Sequence, residues 1–244
     1  MLFKWLTKYN GYIHTSFFMT CTVILCYLIA FEYSFVETAL TLTLGTLYTG
    51  ILMSGYLHRY CSHRSWDMPR FVEVGLMAQT TALMQSPSMG WAATHMDHHI
   101  HTDKEGDPHG HVHSIFQNFL VFNRIPKLTR IPRWMLRDKL YAFQTTWYWE
   151  IGISLFALCC WLFGWQIMVS LVAISYLVQV GLNVVGHSNE LKPVNIPWLN
   201  LIWQGELYHA NHHWNPKSAQ FGTFDATYYL LILPSKALKN LFFK

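Results

Sequence analysis

Three stretches of this chain carry no charged residue over at least the length of a bilayer-crossing helix. Tyr12–Phe31 and Thr38–Leu57 each run 20 residues, and Ile151–Gly186 runs 36. About 20 apolar residues cross a hydrocarbon core of ~30 Å. One helix of 36 residues would reach about 54 Å, so the third stretch is expected to fold back at Phe163–Gln166. The composition agrees: charged residues make up 12% of the chain, against about a quarter in soluble domains. The reading is an all-α integral membrane protein, one domain over 1–244, with four transmembrane helices at about 12–31, 38–57, 147–163 and 167–186. Residues 58–146 and 187–244 would form a cytosolic helical cap.

The basic residues orient it. The expected outer loops, Glu32–Glu37 and Phe163–Gln166, contain no Lys or Arg, so all 17 fall on the other side. Loops rich in Lys and Arg stay in the cytoplasm, which places both termini and the cap there. The net charge of +4 then reads as headgroup contact, and nothing in the pattern argues for nucleic acid. Lys4 and Lys8 before the first run would suit a signal peptide, but no small-residue cleavage site follows, so a retained anchor is expected. The five cysteines lie mostly within spans and do not form a disulfide framework. Phe71–Ala93 is read as a helix on or in the cytoplasmic face. Arg124–Lys139, alternating basic and apolar residues, is read as an interfacial segment.

Against this apolar background stand 14 histidines. His58 and His63 lie in "HRYCSH". His95, His98 and His99 lie in "HMDHH", and His209, His212 and His213 in "HANHH". His187 closes "NVVGH". On a helix an H-x-x-H-H box holds its three imidazoles within an arc of about 100°. His58 and His63 are about 140° apart on an α-helix, so the second span is expected to end near His58 and turn back. Asn183 lies one turn before His187, on the same face. All of these positions fall at one membrane surface. The remaining histidines, His14, His101, His109, His111 and His113, read as interfacial or solvated, with His109 also a candidate to back a ligand.

Neutral imidazole suits Zn, Cu, Fe and Ni. Nine candidates exceed one tetrahedral site, so two metals fit better. Carboxylates should orient the imidazoles, and Asp97, Asp103, Asp107 and Glu206 are the nearby candidates.

These motifs, with "WAATHMDHHIHTDKEGDPHG" and "GELYHANHH" in order between Gly55 and Pro216, resemble the three-box membrane fatty acid desaturases, especially the acyl-CoA delta-9 branch. The resemblance implies an oxygen-dependent enzyme that makes a cis double bond in an acyl chain at a di-iron centre. It implies two Fe ions held by His58, His63, His95, His98, His99, His187, His209, His212 and His213, with Asn183 on a metal-bound water and O2 as co-substrate. The chemistry fits a greasy chain: an alkyl C–H bond has no acidic proton for a side chain to take, and the reaction needs a dry tunnel. Gly75 and Ala78 are candidates to line it. Where the acyl-CoA branch carries Arg-Asp, this chain has Ala93 and Thr94. The acyl group is therefore expected on CoA, a carrier protein or a lipid, without the CoA contact of that branch. The electron donor is expected to be a separate protein such as a ferredoxin or small cytochrome.

Two other readings compete. Lipid hydroxylases and ketolases share three-box architectures. A membrane metal-binding or transport protein would be a different class, but transporters place polar groups near mid-span, and here the histidines gather at one end. The location is the membrane, the cytoplasmic one if the source is bacterial.

Overall fold

The computed structural model describes residues 10–110, 112–120, 127–188 and 192–242. Lys4, Lys8, His111 and the first three residues of the expected interfacial segment lie outside them. The described residues are helical, with one isolated bridge between Asn195 and Tyr208.

The first helix, α1 (Asn10–Tyr27), runs into a π-helical turn, Leu28–Glu32. Ser34 then caps α2 (Phe35–Ile51): its Oγ accepts from Glu37 N at 3.3 Å, and Glu37 Oε2 accepts from Ser34 N at 2.8 Å. This reciprocal pair satisfies two amides that a helix start leaves free. α2 continues without a break into a π-helix, Leu52–Ser62, giving one apolar helix of 28 residues. The expected turn at His58 does not occur.

Phe71–Ala93 is not one helix. α3 (Arg70–Ala82) stops, Met84 and Ser86 take positive φ (57° and 77°), and α4 (Ser88–His101) begins after Pro87. α3 buries Leu76, Met77 and Thr80 and turns Phe71 and Val74 outward, with Gly75 and Ala78 half-buried. A Cβ on Gly75 would meet nothing within 4 Å.

Short helices α5 (Ile115–Phe119), α6 (Arg133–Leu136) and α7 (Lys139–Thr146) lead to α8 (Tyr148–Phe163) and α9 (Trp165–Val185). The long uncharged run breaks at Gly164, φ 96°, as its length requires; such a φ is strained for any residue with a Cβ. α9 is the central post, burying Met168, Val172, Ala173, Tyr176, Val180 and Asn183 at helical spacing against α1, α2 and α8. Within the described part of 124–139, Met135 is fully buried and Trp134 rests on Tyr60 and Tyr141, while Lys127, Arg133, Leu136, Arg137 and Lys139 are exposed. The chain ends with α10 (Asn200–Trp203), α11 (His209–Trp214), a π turn Tyr228–Ile232 and α12 (Leu233–Phe242).

Among the described residues three helices are long and apolar enough to cross a membrane: Gly11–Glu32, Phe35–Ser62 and Trp165–Val185. A fourth crossing requires α7 and α8 together, and they meet at a 79° bend. This is a membrane protein, and what stands at its core end is a knot of imidazoles.

Candidate metal centre

The π-helix decides where the first two histidines point. In an α-helix His58 and His63 diverge, but bonds from residue i to i+5 slacken the winding until five residues make close to a full turn. Their ring centroids are 5.2 Å apart. α4 presents its box from one side and α11 from the other, while His187 arrives at the end of α9.

The nine imidazoles sort into two sets. His58, His63, His95, His99 and His212 form one; His98, His187, His209 and His213 form the other; within each set the ligand nitrogens lie within 4.8 Å of one another. In the first, Nε2–Nε2 separations are 2.9 Å (His58–His212), 2.8 Å (His63–His95), 3.0 Å (His95–His99) and 2.8 Å (His99–His212). In the second they are 2.8 Å (His187–His209), 3.2 Å (His209–His213) and 3.3 Å (His98–His213). Nitrogens about 2.1 Å from a shared ion sit about 3 Å from their nearest neighbours. The donor set thus fits two metal ions. Each H-x-x-H-H box serves both sets, since adjacent residues on a helix differ by about 100°.

Carboxylates hold the outer nitrogens. His98 Nδ1 donates to Asp107 Oδ1 at 2.8 Å and His187 Nδ1 to Asp103 Oδ2 at 2.9 Å. His58 Nδ1 lies 2.6 Å from Glu206 Oε2. A proton fixed on Nδ1 leaves the Nε2 lone pair facing inward. Asp97 does not join them: it pairs outward with Lys127 (2.8 Å), Arg130 (3.2 Å) and His101 (3.3 Å), tying the 127–130 segment to α4.

Burial and the neighbouring imidazoles push His63, His95, His98, His209 and His212 far below the usual imidazole range. His99 falls to about 3 and His213 to about 2 for the same reasons. They are neutral, the form that binds metal. Burial pushes the Asp107 carboxyl up to about 6. For Glu206 burial works in the same direction, but His58 and Arg59 outweigh it and bring the group down to about 2.

Asn183 is buried on α9, and its Nδ2 has no hydrogen-bond partner among the described residues. His109 stacks on His98 at 4.1 Å and is buried, not solvated. His14 is also buried, within α1, 3.2 Å from Tyr148 Oη. His101 and His113 bond to backbone carbonyls of Asp97 and Asp107.

Sequence reasoning missed Arg59. It is fully buried, reaching Asp225 at 2.8 Å, Glu206 at 3.2 Å and the Ala219 carbonyl at 2.9 Å, with its guanidinium over Phe221. Its signal was a lone cation inside a helical, otherwise uncharged stretch between two histidines. Asp225 gave no signal.

The sequence model of the fatty acid desaturase family matches residues 34–222. An sn-1 stearoyl-lipid 9-desaturase of Anabaena variabilis is 26% identical over 87% of this chain and 84% of its own. One of the same description from Synechocystis sp. is 28% identical over 85% and 71%. A delta-9 desaturase-like 2 protein of Arabidopsis thaliana is 25% identical over 85% and 77%.

Proposed function

The chain belongs to the fatty acid desaturase family and is an oxidoreductase acting on acyl chains, and from that premise we propose how its residues divide the work. The observation that carries the reading is the pair of Nε2 sets. His58, His63, His95, His99 and His212 would hold one iron and His98, His187, His209 and His213 the other, with the unpartnered Asn183 amide available to a water at the site. When bound, the two irons supply the oxygen-activating power that breaks an unactivated C–H bond. Overall, one O2, two external electrons and two protons, with two hydrogens from the chain, give a cis alkene and two waters.

The protein's own part is positional. Asp103, Asp107 and Glu206 fix the tautomers of His187, His98 and His58. Trp91, stacked on His95 at 5.2 Å, and Phe221, 4.7 Å from His212, shield the first set from water. The substrate is a lipid-linked acyl chain, oxidised at carbon 9. Supporting this are the names of the two cyanobacterial relatives and the presence of Ala93 and Thr94 where acyl-CoA enzymes carry Arg-Asp. α7 and α8 together make the fourth span, so the cap gives up residues 139–146, and the rest of it, 58–138 and 187–244, faces the cytosol with both termini. Electrons come from a separate donor of the ferredoxin or small-cytochrome kind.

Expression in a host that makes no unsaturated fatty acids tests the reading. The expected product is two mass units lighter than the saturated chain, with two irons per purified protein. A gain of sixteen mass units would make it a hydroxylase instead.

A further inference from the structure

The last helix faces the wrong way for a surface in water. α12 turns Leu233, Pro234, Ala237, Leu238 and Leu241 outward, Leu241 being 73% exposed, and Leu230 extends the strip. Its lysines, Lys236 and Lys239, are only partly exposed and face inward to a cleft. A water-facing helix shows the opposite order. Leucines outward with cations beside them is the arrangement of a helix lying in the headgroup layer of a bilayer.

The cleft measures about 660 Å³ and is lined by Arg64, Ser65, Asp67, Lys236, Lys239 and Asn240, with Trp66. Arg64 is preset: its guanidinium lies 4.3 Å from the Tyr60 ring centroid and 4.4 Å from that of Trp134. Asp67 is the one carboxylate in the lining, 3.1 Å from Arg64 and 3.3 Å from Lys239. Three cations thus face one carboxylate, and Lys236 has no carboxylate partner among the described residues. Two ammonium groups, a guanidinium fork and the Asn240 amide make a donor set for phosphate oxygens.

We propose that this cleft binds the phosphate of an anionic phospholipid whose acyl chains lie against the outward leucines of α12. The two halves of such a lipid meet complementary surfaces of one helix. The leucine strip favours a lipid over an acidic protein, which would need only the cations. The site stands independently of the chemistry proposed for the metal centre, whose failure would show in the product analysis and not here.

The test uses the full chain in nanodiscs of mixed phosphatidylglycerol and phosphatidylcholine, with retained lipid counted by native mass spectrometry. The wild type is expected to retain phosphatidylglycerol about 30-fold in preference, equivalent to ~2 kcal/mol for two surface cations. The K236Q/K239Q double variant should lose that preference. D67N should raise it about threefold, a change of opposite sign that misfolding does not produce. An unchanged preference in the double variant overturns the proposal. So does displacement of the lipid by millimolar inorganic phosphate, which assigns the cleft to a soluble ligand. A loss of ferredoxin-supported turnover with lipid preference intact would assign it to a protein partner instead.

Discussion

His98 and His99 are neighbours in the chain and lie in different nitrogen sets. Replacing them therefore has separable consequences. His98→Ala leaves three imidazoles in its set, and His99→Ala leaves four in the other. Each protein should insert normally and turn over at background, but His98→Ala should purify with about one iron, keeping the spectroscopic signature of the five-histidine set. Two full irons and normal turnover in that variant would contradict the assignment. Glu206 acts at one remove. It touches both His58 and Arg59, so Glu206→Gln weakens the hold on the His58 tautomer and strips the guanidinium of a partner. A loss of 10–100-fold in affinity for the iron of that set is expected, measured by chelator competition. The imidazoles that the structure gathers were legible in the sequence because each H-x-x-H-H spacing keeps three of them within one helical arc. Arg59 was not, because its two carboxylate partners come from residues 206 and 225, which nothing local in the sequence connects to it. Asp97 misled for the same reason: its place between two ligands in α4 does not tell which way its carboxylate turns.

At the level of elements, the π-helix Leu52–Ser62 is the device that makes the site. Sequence periodicity assumes 3.6 residues per turn, so the alignment of His58 with His63 was invisible to it, and a turn was expected where a wider helix stands. Wider winding disturbs the usual bonding ladder, and tertiary contacts support it. Trp66 Nε1 donates to the Gly55 carbonyl at 3.0 Å, and Ser65 Oγ to the Arg59 carbonyl at 3.0 Å. Trp66→Phe keeps most of the buried ring and removes only the donor, leaving a buried carbonyl short of a partner at a cost of about 1–3 kcal/mol. The variant should melt lower. It should also bind iron more weakly in the five-histidine set than in the other, because His58 and His63 both belong to the first. Equal weakening of both sets would mean that Trp66 supports the fold in general and not the π register.

At the scale of the whole molecule, the long apolar helices were the plainest part of the sequence. Lipid gives no water to exposed amides, so spanning segments are long uncharged helices that any reading of composition finds. The first two and the last appear within a few residues of their expected limits. The fourth is harder: α8 has 16 residues, about 24 Å of helix, short of the ~30 Å core. Only together with α7 does it reach the length of a span, and the bend between them falls at Trp147, where nothing in the sequence signals a break. Sidedness can be read by labelling. In a background with the five native cysteines replaced, single cysteines at Glu32 and Gln166 stand at the two loops without Lys or Arg, and those at Lys104 and Lys217 stand near the histidine sets; all four positions are exposed. An impermeant maleimide applied to intact cells should label the first pair and spare the second until the membrane is opened. Labelling of Gln166 only after opening would remove α8 as a span. The α8–α9 hairpin would then be re-entrant, and the C-terminal lysines could not share a side with α4 unless α9 stopped short of the outer leaflet.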